Sequence, residues 1–144
     1  MPTARIVYTG DLRTEATHLQ SGTTILTDAP TDNHGKGEKF SPTDLTATSL
    51  GTCIITTMGI RLRAEGLDFI GTELSITKIM TAQPPRRIAR IEVELQMRTN
   101  VQPTDEQRQK CEEIAHTCPV ALSLHPDVEQ VVRFKWNSEP KNVK

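Results

Sequence analysis

From Leu45 to Ile60, between Asp44 and Arg61, the chain carries no charged side chain. A stretch of this composition has to leave water, and the choice is between a bilayer and a protein core. It is too short to cross a membrane comfortably and holds five threonines and a serine, so it reads as a buried helix. The start of that helix is written in Ser41-Pro42-Thr43-Asp44: a serine N-cap, proline at the first helical position, and a carboxylate three residues after the cap. The pattern predicts a helix to about Ala64, with charges returning at Arg61, Arg63 and Glu65 before the Gly66 stop. Its uncharged part is apolar or small on nearly every face, which predicts a central helix covered on all sides.

The flanking sequence is β-like. "TARIVYT", "RTEATHL" and "TTILT", over residues 3 to 27, are rich in Thr, Ile, Val and Tyr and are divided by Gly10-Asp11 and Ser21-Gly22. Asp28 to Lys39 is a polar loop with two glycines, a proline and no periodicity, long enough to carry a function. Beyond the helix, "FIGTELSITKIMTA" and "RIARIEVELQMRT" read as longer strands divided by Pro84-Pro85. In the second, Ile91, Val93, Leu95 and Met97 alternate with Arg90, Glu92, Glu94, Gln96 and Arg98, as in a sheet with one dry and one wet face. A helix is predicted from Thr104-Asp105-Glu106 to about Thr117, then a short helical piece from Cys118-Pro119 to His125-Pro126, then a last strand, "VEQVVRFKW". This order predicts an α+β fold of antiparallel sheets without regular βαβ alternation, in one domain over residues 1–144.

With 17 basic and 18 acidic residues and a net charge of -1, no excess of charge points to nucleic acid or an anionic membrane surface. "MPTARIVYTGDLRTE" has no apolar core of signal-peptide length, which predicts a cytoplasmic protein without a membrane segment.

The three cysteines, Cys53, Cys111 and Cys118, are odd in number and lack CxxC spacing, which argues against a structural disulfide framework. Cys53 in an apolar helix fits an inert core thiol. Cys118 stands at a helix start before Pro119, where free backbone N–H groups favour a thiolate and lower its pKa. Two such cysteines can work as a peroxidatic and resolving pair, provided a cation stabilises the thiolate and the departing oxygen. Cys111, His116, Cys118 and His125 offer zinc-type ligands, but in none of the usual compact pairs and split by Pro119. Cys111 reads as a core or boundary thiol. "HGKGEK" lacks the phosphate-loop pattern, and Arg86, Arg87 and Arg90 form a small basic cluster expected to face solvent.

"FSPTDLTATSLGTCIITTMGIRLRAEG" (40–66) and "HTCPVALSL" (116–124), supported by "YTGDLRTEATH" (8–18), resemble the OsmC/Ohr family of osmotically inducible and organic-hydroperoxide-resistance proteins. The similarity runs over nearly the whole chain and is nearest the branch with Ser-Pro-Thr-Asp before the first cysteine. The resemblance implies that Cys53 is the peroxidatic cysteine, Cys118 the resolving one and Arg13 the arginine that activates the thiolate. Members established as hydroperoxide reductases have Asn-Pro-Glu, whose glutamate orients that arginine. Here Thr43 stands in its place, so Glu38 or Asp44 is expected to supply the carboxylate.

The resemblance further implies sheets packed around a long central helix, and an intertwined homodimer with active sites built from both chains. It implies organic hydroperoxide, or hydrogen peroxide, as substrate and a small dithiol or lipoylated protein as reductant, with no metal, haem or flavin. Leu50, Ile54 and Met58 are expected as apolar pocket walls or as ordinary core. The competing readings are a redox-sensing or ligand-binding domain without turnover, and a structural dimer with inert thiols.

Overall fold

The computed structural model describes residues 1–136. The chain divides into two compact units, which meet in sequence between Thr46 and Ala47.

The N-terminal unit is a meander of β1 (Ala4–Gly10), β2 (Arg13–His18) and β3 (Thr24–Asp28), paired antiparallel in that order. Between β1 and β2 the turn has positive φ at both central residues, Asp11 (53°) and Leu12 (65°), the geometry that matches strand twist in a two-residue hairpin. It starts β2 directly at Arg13, which lies opposite Asp28 in the β2–β3 register. After β3 the polar loop folds back on itself: the Gly35 and Gly37 N–H groups donate to the Pro30 and Ala29 carbonyls. At Gly35 a Cβ would fall 1.8 Å from the Ala29 oxygen, so only glycine permits this return. The fold-back delivers Glu38 to the Arg13–Asp28 pair. Ile6, Val7 and Tyr8 of β1 remain exposed.

Helix α1 (Pro42–Leu62) begins in this unit and continues into the next. Its start is the reciprocal cap read from the sequence. The Asp44 N–H donates to Ser41 Oγ, and the Ser41 N–H donates to Asp44 Oδ2, each at 3.0 Å.

The second unit holds the rest of α1, β4 (Glu73–Met80), β5 (Ile88–Gln96), α2 (Asp105–Thr117), α3 (Pro119–Ser123) and β6 (Glu129–Lys135). Its core joins one stripe of α1 (Ala47, Leu50, Ile54, Met58, Leu62) to the dry face of β5 (Ile91, Val93, Leu95) and to Cys111, Ile114 and Ala115 of α2. Gly51 sets the helix-to-sheet distance, since a Cβ there would lie 2.6 Å from Ile76 Cδ1 and 3.5 Å from Leu74 Cδ2. We expect Gly51→Val to force two further methyl groups into this contact and to destabilise the fold by roughly 1–3 kcal/mol. A urea midpoint at or above that of the parent chain would contradict the contact.

Two expectations need correction. The second sheet is mixed, because β6 pairs parallel with β5. The connection between them carries α2 and α3, and a crossover of that length returns the chain in the same direction. Helix α1 is also not covered on all sides by its own chain. One face is buried, while Thr52, Thr56 and Ile60 on other faces are exposed. The remaining elements lie where the sequence placed them, and the α+β class holds.

Candidate functional site

In the N-terminal unit Arg13 is held as a fork. Its Nε donates to Asp28 Oδ1 at 2.6 Å and its Nη2 to Asp28 Oδ2 at 2.8 Å, the bidentate geometry in which guanidinium and carboxylate bind best. Nη2 also donates to Glu38 Oε1 at 2.9 Å. The Glu38 N–H donates to Asp28 Oδ2, so loop and strand converge on one carboxylate. The Arg13 hydrogen bonds hold the Asp28 carboxyl below the usual carboxylate range, against the effect of its burial. They raise the Arg13 pKa still further, Asp28 contributing more than Glu38. Arg13 is therefore a permanent cation.

Asp28 was not among the residues singled out from sequence. The signal was available in the hairpin: once the turn between His18 and Thr23 fixes Thr17 opposite Thr24, counting outward puts Asp28 opposite Arg13. Of the two carboxylates that were singled out, Glu38 reaches Arg13, whereas the carboxylate of Asp44 is engaged at the helix cap.

In the second unit, two turns into the buried stretch of α1, Cys53 is partly exposed, and Cys118 is fully buried at the N-cap of α3. Cys53 is among the groups that raise the Cys118 pKa, which makes the two thiols neighbours, and both are free of any disulfide. The Val120 N–H donates to Cys53 Sγ at 3.5 Å, and Thr57 Oγ1, one turn along α1, is 3.9 Å from the same sulfur. The helix-start argument pointed to a lowered pKa for Cys118, and the structure reverses it. Burial pushes this thiol up, and the facing Ala121 and Val120 N–H groups only partly offset that effect. Cys118 is thus kept protonated beside a more exposed neighbour. Cys111, wholly buried in α2, is pushed up to about 11 by the same desolvation.

Leu50, Ile54 and Met58 have no exposed surface and serve as core. His116 and His125 are exposed, and among the described residues no three His, Cys, Asp or Glu side chains gather as a metal site. No helix among these residues is long and apolar enough to cross a membrane.

The arrangement of a half-exposed thiol backed by a buried one coincides with a family match. The profile described as OsmC-like protein covers residues 35–132. The chain belongs to the OsmC-like family. Its fold is also that of solved family structures. An osmotic stress and detoxification response protein from Psychrobacter arcticus shares 47% identity with this OsmC-like chain, with 94% of this chain and 96% of that one covered and a TM-score of 0.87. The organic hydroperoxide resistance protein OsmC of Legionella pneumophila (13% identity, 94% and 98% covered, TM-score 0.68) has the same fold. So does OhrB of Bacillus subtilis (13% identity, 93% and 98% covered, TM-score 0.63). Among curated proteins, none matches this chain.

Proposed function

We propose that this OsmC-like protein is a thiol-dependent peroxidase that reduces organic hydroperoxides through Cys53 and Cys118. The observation that carries the proposal is a partly exposed Cys53 whose sulfur takes the Val120 N–H at 3.5 Å, two residues past the buried Cys118. The Cys53 thiolate attacks the distal oxygen of the hydroperoxide, the O–O bond breaks, and the alkoxide takes a proton to leave as alcohol. Cys53 is then a sulfenic acid. The Cys118 sulfur attacks it, giving a Cys53–Cys118 disulfide and water, and an external dithiol restores both thiols while closing its own disulfide. Family membership and the hydroperoxide-resistance proteins that share the fold support this chemistry.

The steps assign a cation to the thiolate and the departing oxygen, and Arg13 is proposed for that part, with Glu38 and Asp28 beside it. The proposal includes a homodimer, supported by exposed Ile6, Val7 and Tyr8 on β1 and by the uncovered face of α1. If each site draws on both chains, inactive Arg13→Ala and Cys53→Ser proteins co-refolded together should regain about a quarter of parental activity, the statistical share of intact sites in mixed dimers. No regain would place Arg13 and Cys53 of one site on the same chain. A monomer at micromolar concentration by light scattering would remove the dimer.

The function itself is tested by stopped-flow oxidation of the reduced protein with cumene hydroperoxide and with hydrogen peroxide, followed by mass spectrometry. Rapid formation of the Cys53–Cys118 disulfide and turnover with a dithiol are expected. One oxidation without turnover would indicate a redox sensor, and reaction no faster than free cysteine a binding domain.

A further inference from the structure

The carboxylates beside Arg13 are unequal. The Asp28 side chain is 2% exposed and Glu38 is 62% exposed. Asp28 takes two of the three hydrogen bonds that Arg13 donates, and both of its oxygens are engaged. Its own backbone is fixed as well, by the strand register opposite Arg13 and by its N–H donating to the Phe40 carbonyl at 3.1 Å. Glu38 offers one contact from a loop, and an exposed ion pair of that kind contributes little. With Nε and Nη2 occupied, the Nη1 donors of Arg13 have no partner among the described residues. A planar guanidinium gripped along one edge cannot rotate, so its opposite edge points in one fixed direction.

We propose that Asp28 is the positioning residue for Arg13, fixing the guanidinium by its Nε–Nη2 edge so that Nη1 is presented to the anion formed in the reaction, while Glu38 is an auxiliary contact. This rests on the peroxidase reading. Asp28 does not itself touch the reacting atoms; it acts through Arg13 alone.

The test is a comparison of Asp28→Asn and Glu38→Gln, each also combined with Arg13→Ala. D28N keeps the shape of the side chain and removes the charge. Misorienting the cation is expected to slow Cys53 oxidation by about 100-fold, the scale of a small misplacement at a reacting centre. E38Q is expected to cost roughly twofold to fivefold, the range of an exposed ion pair. In the Arg13→Ala background D28N should cause no further loss, a non-additivity that a merely structural role would not produce. Asp28→Glu, which retains the charge, should recover part of the rate and stands in if D28N does not fold.

A wild-type rate in D28N, an equal loss in the Arg13→Ala background, or a larger loss in E38Q would overturn the assignment. The nitrogen-15 resonance of Arg13 Nε gives a readout independent of activity. Slow proton exchange at this site should survive in E38Q and vanish in D28N, and equal behaviour in the two would overturn the proposal. A parent protein that fails to reduce hydroperoxide removes the peroxidase reading, and the Nε signal still decides whether Asp28 fixes Arg13.

Discussion

Replacing Cys53 by serine is expected to lower hydroperoxide consumption by at least about 1,000-fold, because the hydroxyl left behind is a far weaker nucleophile than a thiolate. Cys118→Ser should fail differently. Its Cys53 can still be oxidised, but no buried thiol waits behind it, so the sulfenic acid persists and excess peroxide carries it to the sulfinic state. Mass spectrometry separates the two: no added oxygen at position 53 in the first variant, and one and then two in the second. Cys111 is no substitute resolving thiol. It is wholly buried in α2, and the charged groups that act on it are Glu112, Glu65 and Lys110, whereas the thiol that acts on Cys118 is Cys53. Cys111→Ser should therefore turn over like the parent chain. If Cys53→Ser consumed hydroperoxide at the parental rate, the reactive sulfur would lie elsewhere and the proposed chemistry would fall.

What the sequence disclosed and what it hid follow from the range of the interactions. The cap at Ser41 and Asp44, the alternation from Arg90 to Arg98 and the helix start at Thr104-Asp105-Glu106 are settled by neighbours a few residues apart, and each appears as written. The buried stripe of α1 was readable as burial, though its uncovered face was not, since composition alone does not say how many partners a helix has. The parallel β5–β6 pair depends on a crossover through two helices and leaves no local mark. For the candidate site, Cys53, Cys118, Arg13 and Glu38 could be singled out by residue type and resemblance. Asp28 escaped because its meaning depends on cross-strand register. The direction of the Cys118 shift escaped because a helix start and burial act in opposite senses, and only the fold states how deep the thiol lies.

Dithiols are expected to support turnover at least about 100-fold better than glutathione at equal thiol concentration, for a reason contained in the Cys53–Cys118 contact. A monothiol that attacks the disulfide can bond to Cys53 and release Cys118, which stays nearby because the start of α3 packs its Val120 N–H against the Cys53 sulfur. Recapture is intramolecular and competes with a second glutathione that has to arrive from solution. A dithiol escapes this competition because its own second thiol is equally close. Thermodynamics acts in the same direction. A bond joining α1 to the start of α3 closes a long loop, and chain entropy stabilises the oxidised fold by about 4 kcal/mol against unfolding. That makes the disulfide about 90 mV harder to reduce than an unconstrained one, which favours a strongly reducing dithiol such as a dihydrolipoyl group. Two measurements check the argument together: steady-state rates with dithiothreitol and glutathione, and denaturant midpoints of the reduced and oxidised protein. Equal rates with the two reductants would mean that Cys118 does not recapture Cys53, and equal midpoints would mean that the bond is strained enough to cancel its entropic gain.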